Sequence, residues 1–150
     1  MSEQRRLVPR STWWVGGSLV IMVVGAFGPW ATIADLATIH GTDGGRDGWV
    51  VVGAAAVAAL AVLGYLRFRR GWLIVLSLLA GLLGVVTTVY DISDMTSASD
   101  SLLFEDIPVD LRWGIYVALV GSVSLALASM GMLVEGRRRG SVRVEAPSSA

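Results

Sequence analysis

Asp35, His40, Asp43 and Asp47 fall within one short stretch, and their types could do ligand chemistry. Carboxylates and an imidazole at this spacing could hold a cation, and oxygen-rich ligands suit calcium or magnesium. His40, Asp43 and Asp47 are therefore the cation candidates, with Asp35 beside them. The spacing does not follow the EF-hand pattern. The same residues serve equally well as turn and helix caps: Asp47 stands where a carboxylate meets the positive end of a following helix. Capping and solvation is the reading kept, with no bound metal and no cofactor. Ser93, Ser97, Ser99 and Ser101 lie on the same side as the lone His40, but none sits in a nucleophile-elbow motif. The absence of cysteine excludes thiol catalysis, disulfides and thiolate metal ligands. A single histidine excludes any site needing two from one chain. No catalytic residue is assigned, and the chain reads as a non-enzyme.

The elements that must position these side chains are membrane spans. Of 150 residues, 54% are hydrophobic and 16% charged, against about 25% charged in an ordinary soluble protein. The apolar residues gather in four long runs. The expected fold is all-α: a polytopic membrane protein with four transmembrane helices in a compact antiparallel bundle and both termini cytoplasmic. The spans are placed at about 12–33, 49–66, 72–90 and 111–134. Residues 1–12 form an N-terminal tail, 13–134 the transmembrane domain, and 135–150 a basic, disordered tail. Trp13 and Trp30 bracket the first run, 17 residues apart, or about 25 Å of helix. Pro29 is expected to end or kink that helix. ATIADLATI after it reads as a last helical stretch. A cleaved signal peptide is the competing reading of this run, and a retained anchor is preferred.

Charge sets the orientation. Ten of the twelve basic residues, all arginines, lie in the N-terminal tail, the RFRRGW loop and the C-terminal tail; only Arg46 and Arg112 lie on the other side. Nine of the twelve acids lie with those two. The positive-inside rule then makes both termini and the middle loop cytoplasmic, in the plasma membrane. Trp13, Trp14 and Trp72 read as anchors at the cytoplasmic interface, and Trp30, Trp49 and Trp113 at the outer one. Arginines beside the spans can bind anionic lipid headgroups. Their position accounts for them, so nucleic acid is not an expected partner.

Small residues let helix backbones approach in lipid, where apolar burial supplies no drive. Gly114, Ala118, Ser122 and Ala126 recur at four-residue spacing on one face of the last span. They form a helix-packing or partner face. Two outer loops remain, 34–48 and 91–110. Gly41, Gly44, Gly45 and Gly48 make the first a turn-rich connection. The second is long, polar and turn-like in its first half. Leu102, Leu103, Phe104, Ile107 and Val109 suggest a surface-lying segment in its second half.

FGPW at Phe27 to Trp30, closing a Trp- and Gly-rich first span, and GTDGGRDG at Gly41 to Gly48 resemble features of a loose class of small four-span membrane proteins of actinobacteria. With the topology, the resemblance covers about residues 13–134. It implies a topology and a kind of organism, and no activity. The four-span junction proteins of animals need outer cysteines, and the small multidrug exporters need a membrane-embedded glutamate; this chain has neither.

The expected function is a non-catalytic accessory, assembly or stabilising subunit of a larger plasma-membrane complex. Its partner would be a larger integral membrane subunit or a second copy of itself. The alternative is a small passive transporter or channel for a neutral or lipidic solute, acting as a homo-oligomer.

Overall fold

Pro29 divides the first apolar run. Proline lacks an N–H and disfavours the helical conformation in the residue before it, so the helix stops at Phe27 and the chain turns extended. The computed structural model describes residues 10–33, 37–43, 47–101 and 109–142. In chain order these form α1 (Arg10–Phe27), β1 (Pro29–Ile33), β2 (Ala37–His40), α2 (Asp47–Phe68), α3 (Trp72–Ser101), β3 (Val109–Leu111) and α4 (Trp113–Val142). The expectations for the tails at residues 1–9 and 143–150, and for the loops at 34–36, 44–46 and 102–108, lie outside the described residues.

Three helical segments are long and apolar enough to cross a membrane: Asp47–Phe68, Trp72–Ser97 and Trp113–Gly136. The apolar part of α1, Thr12–Phe27, is shorter. The surface is apolar where the helices are: Leu60, Leu63, Leu79, Val86, Val120 and Leu127 are all exposed. The interior is made largely of small residues, among them Ala54, Ala58, Ala118, Ser77 and Ser122. Large side chains outside and small ones within is the arrangement expected of helices that associate in lipid.

Backbone contact holds α1 to α4. A Cβ at Gly25 would fall on the backbone of Ala118, and one at Gly121 would lie 2.5 Å from the Met22 nitrogen. Ser18 and Ser124 share a hydrogen bond of 2.8 Å further along the same seam. On α3, a Cβ at Gly81 would lie 2.9 Å from the Ala126 nitrogen and one at Gly84 2.6 Å from the Ser122 hydroxyl. Ser77 and Ser129 meet at 3.0 Å. Buried hydroxyls also bond their own helix: Thr88 donates to the Gly84 carbonyl and Ser122 to the Ala118 carbonyl. Among the described residues only the Thr12 hydroxyl, near the start of α1, is buried without a partner; the other buried hydroxyls are satisfied, as a low-dielectric interior requires.

The structure amends the sequence reading at four places. The fold is mostly helical but not all-α, because β2, β1 and β3 form a three-stranded antiparallel sheet in that order. The stretch after Pro29, where ATIADLATI was expected to be a last helical stretch, supplies two of its strands. β-branched Thr32, Ile33, Thr38 and Ile39 suit a pleated surface, and β3 provides the third strand that a lone hairpin lacks. Next, α3 runs past 90 to Ser101. Residues 91–101 contain no glycine or proline, and Ser93, Thr96 and Ser97 return their hydroxyls to carbonyls one turn back. Then α4 starts at Trp113, two residues beyond the expected 111, because Val109–Leu111 pairs with β1. Finally, the first part of the basic tail, to Val142, continues α4; arginine is a good helix former.

The α2–α3 turn is tight, as expected. Arg69 takes a left-handed φ of 55° and donates its N–H to the Tyr65 carbonyl at 2.8 Å, which closes α2.

The glycine seam makes a direct test. Gly121→Ala places a methyl against backbone, and is expected to cost about 1–3 kcal/mol. Gly53→Ala, where a Cβ meets nothing, is expected to be neutral or stabilising by about 0.5–1 kcal/mol. Thermal unfolding of both variants in one detergent, followed by circular dichroism, reads the difference.

Candidate functional site

The sheet closes one end of the helices, and the acids gather there. The register between β1 and β2 slips between Pro29 and Ala31, which leaves Trp30 as the extra residue of a bulge. A bulge re-aims its side chain. Trp30 is buried, and its indole N–H donates to the Gly25 carbonyl at 2.9 Å. The Arg112 N–H donates to the Trp30 carbonyl at 2.8 Å, and the Arg112 Nε–H to the Thr32 hydroxyl at 2.7 Å. The sheet is thereby tied to the starts of α4 and β1 together.

Gly41 and Gly48 bring the hairpin onto α2. A Cβ at Gly41 would fall on the Trp30 indole, and one at Gly48 on the Gly41 carbonyl. Glycine is required at both positions because the backbones touch. This contact sets His40, the last residue of β2, and Asp43 just after it beside Asp47 in the first turn of α2. Asp91 and Asp94 of α3 stand opposite, since α2 and α3 diverge from one turn and these acids are about equally far from it along each helix.

The result is a recess of about 140 Å³. His40, Asp43, Asp47, Asp91 and Asp94 line it, with Trp30, Ile39 and Met95 as apolar wall. His40 and Asp43 are already engaged with each other. The Asp43 carboxylate accepts from the His40 N–H at 3.1 Å and from Nδ1 at 2.8 Å. A carboxylate only accepts, so Nδ1 carries the proton. These bonds hold the Asp43 carboxyl below its ordinary value of 3.8. Asp91 differs from the others: it is 5% exposed, and its Oδ2 has no hydrogen-bond partner. Asp47 and Asp94 are the acids that face it.

The three cation candidates are thus brought to one recess. Among the described residues, no group of three or more His, Asp or Glu side chains is placed to hold a metal ion. Asp35 lies outside them. Asp91 and Asp94 were missed as site residues by sequence reasoning. The available signal was their place after span three, opposite Asp47 across the α2–α3 hairpin.

The other singled-out residues are placed as follows. Trp13, Trp14, Trp49, Trp72 and Trp113 are exposed at helix ends. Trp30 is not an exposed anchor; it is buried between sheet and helices. Gly114, Ala118, Ser122 and Ala126 are all buried within the chain, against Gly28 and Gly25 on one side and Gly84 and Gly81 on the other. That face packs α4 on α1 and α3, so as a partner face it is already taken. A different surface stays open: an apolar groove of about 650 Å³ on α4, whose lining includes Trp14, Ser124, Leu127, Ala128 and Gly131. Trp14, Gly17 and Ser124 line an adjoining hollow.

No family model matches this chain, and no curated protein or solved structure matches it either.

The depressed Asp43 value has a measurable sign. Whatever stability the His40–Asp43 contact contributes is present above the unfolded carboxyl's pKa and is lost as pH falls through the lower native value. A carboxyl-carbon NMR titration is expected to place Asp43 below 3.8. In His40→Ala it is expected to return toward that value.

Proposed function

We propose that the chain is a non-catalytic accessory subunit of a larger plasma-membrane complex. In this reading all four helices span the membrane as an antiparallel bundle, and both termini are cytoplasmic. The support for α1 as the fourth span is its continuous contact with α4, from Ser18–Ser124 to Gly28–Gly114; a helix in that contact shares the same slab of bilayer. The support for the orientation is the separation of charge. Asp43, Asp47, Asp91, Asp94 and Asp110 gather at the sheet end, while Arg67, Arg69 and Arg70 sit at the opposite turn. Those arginines and the basic end of α4 would meet anionic headgroups.

The observation that carries the subunit reading is the open groove on α4 and the hollow beside it. A Cβ built at Gly17 or Gly131 meets nothing, although both residues line these surfaces. Small residues left uncovered on an apolar helix face allow the backbone of a further helix to approach. The proposed occupant is a transmembrane helix of the larger subunit. The passive-transporter alternative has less behind it: backbone contacts at Gly25, Gly81 and Gly121 close the seams between α1, α3 and α4.

The test begins with a tag on the C-terminus and extraction from native membranes in a mild detergent. One larger membrane protein is expected to co-purify in fixed ratio. Gly131→Leu is expected to lose that partner while its unfolding stays within about 0.5 kcal/mol of the parent. Recovery of the chain alone or only as a homo-oligomer, or a partner retained by Gly131→Leu, would overturn the reading.

A further inference from the structure

Among the described residues, Asp91 is the one ionisable side chain that is buried, and with Thr12 it is one of two side chains that leave a buried oxygen without a hydrogen-bond partner. Ser18, Ser77, Thr88 and Ser122 all have hydrogen-bond partners. Asp91 lines the recess at the sheet end, is 5% exposed, and leaves Oδ2 unpartnered. A buried polar oxygen without a partner is costly. A carboxylate oxygen only accepts, so whatever completes it brings a donor or a positive charge.

The rest of the lining narrows the occupant. Asp47 from α2, Asp94 from α3 and Asp43 after β2 surround the same space. His40 is the one basic side chain among the described lining residues, and its Nδ1 is committed to Asp43. The field inside therefore favours a cation. The described side chains do not converge as a metal-ligating group. Ile39 and Met95 supply apolar wall, which a strongly hydrated metal ion cannot use and an alkyl group can. The recess, about 140 Å³, is roughly ten times the ~10–15 Å³ of such space that admits a single water. That matches a guanidinium or a primary ammonium with a short carbon chain.

We propose that this recess binds a small soluble organic cation through its charged nitrogen, with Asp91 as the buried acceptor. Asp47 and Asp94 supply further acceptor oxygens, and Ile39 and Met95 cover the carbon chain. The site is independent of the subunit reading, because it lies at the sheet end and shares no lining residue with the groove on α4.

The test uses the purified full chain in lipid nanodiscs. Methylguanidinium, n-propylammonium, calcium and magnesium are titrated separately at constant ionic strength, with binding read by calorimetry and ligand-observed NMR. The two organic cations are expected to bind saturably. Asp91→Asn is expected to weaken them about tenfold. Asp94→Asn, an exposed position, is expected to weaken them less, and it keeps the test readable if Asp91→Asn fails to fold. Asp110→Asn, an acid on β3 outside the recess, is expected to change nothing. Three results would overturn the proposal: no saturable binding of either organic cation, equal weakening by Asp110→Asn, or saturation by calcium or magnesium with the organic cations inert.

Discussion

The structure depends on the backbone contact between α1 and α4. In lipid, burying an apolar side chain gains little, since the acyl chains are as apolar as leucine. Helices are then held by dispersion between closely packed atoms and by interhelical hydrogen bonds. Gly25 against Ala118 and Gly121 against Met22 give the closest approach available to two helices. The Ser18–Ser124 bond extends that seam, and Ser77–Ser129 does the same for α3 and α4. A side chain larger than hydrogen at Gly25 or Gly121 would force the helices apart along the whole seam, because close-packed interiors transmit local strain.

The sheet follows from where that seam ends. With α1 stopped before Pro29 and α4 starting at Trp113, the chain on either side of the seam is extended and side by side. β1 and β3 pair there, and β2 folds back on β1 through the hairpin. The bulge turns Trp30 inward, where its indole fills the space under the sheet and finds the Gly25 carbonyl. Gly41 rests on that indole and Gly48 on Gly41. A chain of contacts thus runs from the helix seam through Trp30 to the first turn of α2, and it determines where the acids of the recess stand.

Polar chemistry is separated accordingly. Within the helical seams, the hydroxyls of Ser18, Ser77, Thr88 and Ser122 are paired with another hydroxyl or with their own backbone. At the sheet end, several carboxylates share one recess, and one oxygen of the buried Asp91 lacks a partner. The groove on α4 is apolar and built on small residues. One end of the molecule is thus suited to charge, and one flank to another apolar helix.

Composition and pattern alone determined the helical character, the tight α2–α3 turn, and the segregation of arginines from acids. These are local or additive properties: length of apolar run, absence of breakers, side of the chain on which charge falls. They also marked His40, Asp43 and Asp47 as neighbours, because those residues are close in sequence. Tertiary structure decided the rest. Pro29–Ile33 became a strand because β3, some eighty residues away, offered a pairing edge. Trp30 was read as an interface anchor from its position at a span end, and a one-residue bulge buried it instead. The Gly114–Ala126 file showed that α4 packs closely, but only the fold showed that α1 and α3 occupy that face. Asp91 joined the recess because the α2–α3 hairpin sets it across from Asp47; the tight turn makes the two ends level, but only the packed helices bring these two side chains to one recess.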